Sequence, residues 1–255
     1  MIENGLKRKL AARRRVCGAL IDLTSEDLVE LCGRVGFDFV LLDGQHGGLD
    51  PERARGLCRA AELTGMTAIV RVPRNDPSVI LRYLDAGAAG IVVPNIADGA
   101  QAAAAVAAMK YPPLGQRGAS SRSRAAGYGL TRSASEYYAA ANEEVLFLPL
   151  VEDPGALLHL PAICETKGVD VVLAGPGDLS LAMGIPGGVT DPRVLAAVEQ
   201  IRAAAAAAGK PVMTVALDAA HGRRLYEAGY LGVIVGVTAM FANTARDFLG
   251  QLGRA

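Results

Sequence analysis

The feature that most constrains the fold is a regular alternation of short apolar runs and longer helical stretches along the chain. Each run is nearly continuous Val, Ile, Leu and Ala, which is typical of a parallel strand buried on both faces. The eight runs span residues 16–20, 37–43, 67–72, 90–94, 145–151, 169–174, 211–216 and 231–236. Their alternation with helical stretches predicts repeated βα units.

The stretches between the runs are rich in Ala, Leu, Arg and Glu, which favour helices. Helices are predicted at residues 51–63, 77–86, 97–109, 154–166, 192–208, 219–228 and 238–249. Four of them open with an Asp-Pro pair, which supplies a capping carboxylate and a proline at the first helical position. Eight βα units in 255 residues predict a single α/β domain over residues 1–255, a (β/α)8 TIM barrel. The long connection at residues 110–142 is the exception to this regular spacing.

The charge balance argues against a nucleic-acid or membrane partner. The chain has 26 basic and 26 acidic residues, so no net charge attracts a polyanion. We interpret the basic cluster at residues 7–15 as the solvated face of a first helix. No apolar run reaches the roughly 18 residues of a membrane span, and the four cysteines form no CxxC pair. These patterns predict a cytoplasmic enzyme that acts on small molecules.

Residues able to do chemistry follow the predicted strands, at the end where such barrels keep their active sites. Glu152 follows the fifth strand and Asp178 the sixth, so the barrel would bring the two carboxylates together. Neighbouring carboxylates repel unless a cation lies between them, which predicts a divalent metal with open positions for water and substrate. The alternative is that Asp178 caps the next helix and Glu152 forms a structural salt bridge.

Three further side chains are candidates for catalysis. His46, among small residues after the second strand, is the candidate general base, and a structural loop histidine is the alternative. Arg71 ends the third strand and would bind an anionic substrate, unless it forms an ion pair with Asp43 or Asp85. Asp85 would either orient His46 or terminate its helix.

What the sequence lacks narrows the chemistry. The five lysines all lie away from predicted strand carboxyl ends, which argues against a Schiff base, and no GxGxxG or P-loop motif is present in a binding context. A metal beside an arginine and a histidine base suits removal of a proton next to a carbonyl. The metal would hold a 2-oxo acid and stabilise its enolate.

Several segments together resemble the HpcH/HpaI family of class II, metal-dependent pyruvate aldolases. They are FDFVLLDGQH at 37–46, VRVP at 70–73, LDAGA at 84–88, YPPLGQRG at 111–118, VE at 151–152, GVD at 168–170 and GPGDLS at 175–180. Members of this family act on 4-hydroxy-2-oxo acids and 2-keto-3-deoxy sugar acids. The segments occur in order over nearly the whole chain, so the resemblance is more specific than any one motif.

The resemblance implies a role for each matching residue. Glu152 and Asp178 would bind the metal, expected to be Mg²⁺ or Mn²⁺, with Co²⁺ or Zn²⁺ also accepted. His46 would act as acid and base with Asp85 behind it, and Arg71 would contact the pyruvyl unit. The remaining substrate-binding positions are Asp43, Gln45, Gly175, Pro176 and Gly177. The resemblance also implies a homo-oligomer, a hexamer or trimer, that exchanges a C-terminal helix, and it places Arg117 near the site or a subunit contact.

The chain departs from the family pattern at three places. Gln45 replaces a common Glu, Leu150 a common Gln, and Gly47-Gly48 a common Ala-Pro. We expect these changes to admit a different or bulkier aldehyde. Kinetics on the Leu150→Gln variant test this expectation, and an unchanged substrate profile would contradict it. Alternative functions are a citramalyl-CoA-type lyase, an oxaloacetate decarboxylase of the same superfamily, or a non-catalytic metal- or ligand-binding barrel.

Overall fold

The computed structural model describes residues 3–254 and contains a closed barrel of eight parallel strands paired in chain order. The strands are β1 (Val16–Ile21), β2 (Phe39–Asp43), β3 (Thr67–Arg71), β4 (Gly90–Val93), β5 (Leu146–Val151), β6 (Val172–Ala174), β7 (Val212–Val215) and β8 (Gly232–Gly236). The predicted (β/α)8 barrel is confirmed, and β8 closes it against β1. β6 is shorter than predicted because the N–H groups of Asp170 and Val171 both donate to Phe147 O instead of extending the ladder.

Helices surround the barrel and alternate with its strands. They are α1 (Gly5–Ala11), α2 (Glu26–Val35), α3 (Pro51–Leu63), α4 (Pro77–Ala86), α5 (Gly99–Met109), α6 (Ala134–Glu144), α7 (Leu160–Glu165), α8 (Pro176–Ala182), α9 (Pro192–Ala207), α10 (Ala219–Glu227) and α11 (Val237–Gln251). The predicted Asp caps form: Asp76 accepts from the Val79 N–H and opens α4, for example. Helices α2, α6 and α8 lie outside the predicted ranges, whereas α1 overlaps the basic cluster that was interpreted as a first helix.

One predicted helix, residues 154–166, is divided in the structure. A 3-10 helix (Pro154–His159) comes first, and α7 begins at Leu160. Pro161 lacks the N–H that a continuous α-helix would bond to Leu157 O, so the α-helix starts anew at this point.

The interior of the barrel is filled with apolar side chains. Phe39, Ile69, Leu146 and Met213 are among the buried residues of this inner cluster. The apolar face of α1 joins the same cluster through its buried leucines and closes the amino end of the barrel. Chemistry must therefore occur at the carboxyl ends of the strands, where polar side chains replace this packing.

The long connection between α5 and β5 lies at the amino end of the barrel. Lys110, at the end of α5, is buried, and its Nζ donates to Asn142 O at 2.7 Å and to Val145 O at 2.8 Å. The Ala125 N–H donates to Asp85 O near the end of α4. Residues 110–133 thus face away from the carboxyl ends of this chain's own barrel.

Lys110 gives a prediction about stability. Burial lowers the pKa of its ammonium to about 8, although Asp170 opposes this. The unfolded chain therefore binds the proton more tightly than the folded one between pH 8 and roughly 10.4, where the unfolded lysine titrates. The free energy of unfolding of the wild type, relative to Lys110→Met, is expected to rise by about 3 kcal/mol across this window.

Urea denaturation of wild type and Lys110→Met at several pH values would measure the difference. Lys167 is exposed, so Lys167→Met is a matched control that should show no such pH-dependent difference. A wild-type advantage that stays constant from pH 7 to pH 10 would contradict the expectation.

Helix α11 packs poorly on its own barrel. Of its residues only Val237 is buried, whereas Phe241 is 74% exposed and Phe248 is 63% exposed. Exposure of large aromatic side chains to water is unfavourable, so this apolar face of α11 is suited to packing against another protein surface. None of the helices within residues 3–254 is long and apolar enough to cross a membrane.

Candidate active site

Two carboxylates meet at the carboxyl ends of β5 and β6. Glu152 directly follows β5 and is 2% exposed, and its Oε1 accepts a hydrogen bond from the Asn95 N–H at 2.9 Å. Asp178 lies in the first turn of α8, which starts two residues after β6 ends. Burial raises the pKa of Glu152 to about 7, and the nearby Asp178 carboxylate adds to this effect. The structure thus brings the predicted pair together.

The structural roles considered for this pair are not seen. No side chain caps α8, so Asp178 is not its N-cap. Within residues 3–254, Glu152 forms no salt bridge. The buried Glu152 carboxylate and the half-buried Asp178 carboxylate, without a bonded cationic partner, repel each other, and a cation would relieve the repulsion.

The pair fits a hard divalent cation as a two-ligand site. Carboxylate oxygens are the donors that Mg²⁺ and Mn²⁺ prefer, and Mg²⁺ commonly binds through one or two carboxylates with water and substrate oxygens. No third His, Cys, Asp or Glu completes a cluster in the described part of the chain. The residues present therefore suit a catalytic ion with open positions better than an ion held only by protein.

A cavity of about 140 Å³ adjoins the carboxylates. Its polar lining comes from Arg71, Glu152 and Asp178, with the backbone of Gly175–Pro176–Gly177 along one side. Its apolar floor consists of Leu20, Leu41, Leu150, Leu173, Val215 and Ile234. The volume corresponds to roughly four or five water molecules, which is enough for a compact 2-oxo acid.

Gly175 keeps this cavity open. A Cβ atom at this position would lie 2.9 Å from Glu152 Cβ and 3.0 Å from both Glu152 Oε2 and Leu150 Cδ1. These distances are shorter than van der Waals contact, so any side chain would displace the carboxylate or the leucine. The glycine lets the backbone approach whatever occupies the cavity.

Arg71 is held in place by Asp43. Its Nε donates to Asp43 Oδ1 at 3.0 Å and its Nη2 donates to Asp43 Oδ2 at 2.6 Å, an arrangement that fixes the guanidinium plane. Asp43 Oδ1 also accepts from the Gln45 and His46 N–H groups. Burial would raise the pKa of Asp43, but the hydrogen bonds and charge of Arg71 outweigh it and hold the pKa below its usual range. The predicted ion pair is present, and Arg71 still lines the cavity.

His46 and Gln45 lie on the loop after β2 but do not line the cavity. The His46 side chain is exposed and makes no hydrogen bond within residues 3–254. Gln45 Oε1 is buried without a partner among the same residues. The backbone contacts to Asp43 fix where the loop begins.

The structure does not bring Asp85 to His46. Asp85 lies near the end of α4 and therefore at the amino end of the barrel, because helices run opposite to the strands. Its Oδ1 accepts from Arg117 Nη2 at 2.8 Å, and the Arg117 side chain is fully buried. Arg117 is likewise at the opposite end from this chain's own Glu152, so within one chain it does not lie near the site.

Asn95 is a site residue that the sequence analysis missed. It has φ 54°, a left-handed conformation that asparagine adopts more readily than most residues, and this turns its N–H toward Glu152. Its position could have identified it as a candidate, because Asn95 comes two residues after the buried strand β4, at the end of the barrel where active sites lie. The apolar residues that line the floor of the 140 Å³ cavity were also missed. In a strand that is apolar at every position, the sequence does not show which side chains point toward the active-site end of the barrel.

Comparisons with known proteins identify the family and agree with the barrel fold. Residues 6–245 match the model of the HpcH/HpaI aldolase/citrate lyase family. The chain is 35% identical, over 91% of its length and 90% of the relative's, to a 5-keto-4-deoxy-D-glucarate aldolase of Salmonella arizonae. A solved HpcH/HpaI aldolase/citrate lyase family protein from Burkholderia cenocepacia has a TM-score of 0.92 and 30% identity, over 98% of this chain and 99% of that one.

A second solved structure, the HpcH/HpaI aldolase from Desulfitobacterium hafniense, has a TM-score of 0.91 and 27% identity, over 98% of this chain and 97% of that one. The family match covers nearly the whole chain. The chain belongs to the HpcH/HpaI aldolase/citrate lyase family and, within it, to the aldolases, which are aldehyde-lyases.

Proposed function

We propose that this enzyme is a divalent-metal-dependent pyruvate aldolase that reversibly cleaves a 4-hydroxy-2-oxo acid or a 2-keto-3-deoxy sugar acid. The products are pyruvate, or a close 2-oxo acid, and an aldehyde. The observation that carries the proposal is the carboxylate pair of buried Glu152 and half-buried Asp178 beside Arg71, in a cavity the size of a small oxo acid. The 5-keto-4-deoxy-D-glucarate aldolases among its relatives favour a hydroxylated sugar-acid substrate.

Glu152 and Asp178 would hold the cation, which supplies positive charge beside a developing enolate when bound. Arg71, fixed by Asp43, would bind the substrate carboxylate or the enolate oxygen. The backbone of Gly175, Pro176 and Gly177 would border the pyruvyl unit, because no side chain intervenes at Gly175. Asp43 and Gln45 would set the position of the loop that carries His46.

In the cleavage direction a base removes the proton of the C4 hydroxyl group. The C3–C4 bond then breaks, its electron pair forms the enolate of the 2-oxo acid, and C4 leaves as the aldehyde carbon. The enolate takes a proton at C3 to give the 2-oxo acid. His46 is the proposed base, and Asp85 has no part in it within one chain because its carboxylate pairs with Arg117.

Exchange of the pyruvate methyl protons in D₂O tests this proposal without knowledge of the aldehyde. Proton NMR should show loss of the methyl signal with enzyme and Mg²⁺ or Mn²⁺. EDTA should stop this exchange, because without the cation the enolate is no longer stabilised. His46→Ala should lower the exchange rate about 10²-fold or more. His159→Ala is the matched control, since His159 is a histidine of the 3-10 helix outside the cavity.

Metal-dependent exchange that survives His46→Ala would remove His46 from the proposed chemistry. Absence of exchange in the wild type, together with cleavage of a citramalyl-CoA-type thioester or decarboxylation of oxaloacetate, would replace the pyruvate aldolase proposal by one of those activities. Binding of metal and pyruvate without any turnover would identify a non-catalytic barrel.

The exposed face of α11 supports a homo-oligomer, with a hexamer or trimer as the proposed state and α11 exchanged between subunits. Phe241 and Phe248 would lie against a neighbouring barrel. Light scattering should give a molar mass several times 26.4 kDa for the wild type. Phe241→Asp/Phe248→Asp should shift it toward the monomer, because buried charges at the contact are costly, and a monomeric wild type would contradict the proposal.

A further inference from the structure

A second cavity of about 480 Å³ lies at the amino end of the barrel, opposite the candidate active site. Its floor is formed by Met66, Thr67 and Ala68 at the start of β3 and by the turn before β4. The far end of the same strand carries Arg71, four residues from Thr67 and so roughly 13 Å away along the strand. The two cavities have no lining residue in common.

Three arginine side chains line this amino-end cavity, and two of them form no salt bridge within residues 3–254. Arg124 is engaged, because its guanidinium forms a salt bridge to Glu62 and donates to Ala86 O. Arg59 and Arg132 are exposed, and neither makes a salt bridge or side-chain hydrogen bond to any of residues 3–254.

The acidic groups near the cavity are already engaged by other side chains. Glu62 pairs with Arg124, and Glu3 lies 3.4 Å from Arg8. Glu136, the carboxylate that Arg132 influences, accepts hydrogen bonds from Ser133 at the start of α6. These carboxylates are therefore bonded to groups other than Arg59 and Arg132, whose guanidinium groups remain available to an anionic ligand.

Tyr128 stands at the rim in an unfavourable backbone conformation. Its φ is 59°, and its neighbours Gly127 and Gly129 also have positive φ values of 63° and 74°. Glycine adopts this region at little cost, but a tyrosine there costs on the order of 1–3 kcal/mol. This backbone conformation places a 55% exposed aromatic ring at the edge of the cavity.

We propose that the amino-end cavity is a second ligand site, for a small organic molecule that carries phosphate or carboxylate groups. Arg59 and Arg132 would bind the anionic groups, and the ring of Tyr128 would cover the less polar part. The apolar residues Met66, Ala68, Ala88, Ala89 and Ala125 line the rest of the cavity. The volume is within the usual range for small-molecule sites, about 300–1,000 Å³.

Isothermal titration calorimetry with pyrophosphate, AMP and glutarate tests the site and distinguishes the two kinds of anion. None of these compounds has the 2-oxo acid group of the proposed substrate. At least one should bind, and Arg59→Ala/Arg132→Ala should weaken it about ten-fold or more, since each change removes hydrogen bonds from a charged donor. Arg14→Ala/Arg55→Ala removes the same charge from exposed positions outside the cavity and should change binding less than about two-fold.

Tyr128→Trp provides an independent readout, because the chain has no other tryptophan. The fluorescence of this variant should resemble that of an exposed indole in the free protein and should shift on addition of the compound that binds. Steady-state kinetics on Arg59→Ala/Arg132→Ala should show unchanged basal activity, since neither residue approaches Glu152 or Arg71.

Three results would overturn the proposal. The first is that none of the three compounds binds with a dissociation constant below about 1 mM, the weak end of useful affinity. The second is equal weakening by the control variant or by Arg71→Ala, which would indicate general charge attraction or binding at the active site. The third is that the free Tyr128→Trp variant already emits as a buried indole, in a way that depends on protein concentration, which would show that a second copy fills the cavity.

Discussion

Replacing Glu152 with glutamine is expected to lower kcat/KM for carbon–carbon bond cleavage by about 10³-fold or more, which is about 4 kcal/mol of transition-state stabilisation. The amide keeps the size of the side chain and can still accept the Asn95 N–H. It removes one of the two charges that would hold the cation, and Asp178 alone is a poor ligand set. Activity should be measured at saturating Mg²⁺ or Mn²⁺ so that weaker metal binding is separated from slower chemistry.

Asp153→Asn is the matched control for this substitution. It makes the same chemical change one residue further on, and an asparagine oxygen can still accept from the Gly155 N–H that Asp153 caps. Its activity should stay within about two-fold of the wild type. Wild type and Asp153→Asn should also melt at higher temperature when Mg²⁺ or Mn²⁺ is added, whereas Glu152→Gln should not. If Glu152→Gln kept a tenth of the activity, the proposed metal role would be wrong.

Removal of Asp43 is expected to lower both stability and activity. Asp43→Ala leaves the guanidinium of Arg71 largely buried without its counter-ion, which should decrease the free energy of unfolding by about 3 kcal/mol. The Gln45 and His46 N–H groups lose their acceptor as well. Because Arg71 would no longer be held toward the cavity, kcat/KM should fall about 10²-fold.

A double variant separates the two effects. In Asp43→Ala/Arg71→Leu no charge is left unpaired, so part of the lost stability should return, as measured by urea denaturation. Activity should not return, because the substrate anion loses its partner. Arg71→Lys should keep the charge but lose the paired hydrogen bonds, with an intermediate loss in kcat/KM. A double variant that is less stable than Asp43→Ala would contradict this account of the ion pair.

The fold could be predicted well from the sequence because a buried parallel strand must be apolar at nearly every position. This is why all eight strands were found, and why Glu152 and Asp178 could be assigned to the same end of the barrel. Their proximity followed from strand order alone. The helix starts at the Asp-Pro pairs could be predicted for a different reason. A capping carboxylate accepts from N–H groups only two or three residues away, so the interaction is local in sequence.

Contacts that depend on three-dimensional direction were harder to predict. The resemblance placed Asp85 behind His46, with termination of the helix as the alternative. Within one chain, α4 runs back to the amino end, and there Asp85 pairs with Arg117. Asn95 was missed because its role depends on a backbone angle that residue type only favours. The pairing of Arg71 with Asp43 was anticipated as an alternative to substrate binding, yet one guanidinium can do both, since it remains in the cavity lining.

The apolar column inside the barrel has a consequence for how this protein can change over time. With α1 closing one end and leucines and isoleucines filling the interior, no aqueous passage joins the two mouths within the described chain. Charge altered at the amino end is screened by solvent there and separated from Glu152 by packed hydrocarbon. The amino-end cavity and its arginines can therefore accumulate substitutions without loss of catalysis, so that one barrel can acquire new ligands at one mouth while keeping its chemistry at the other.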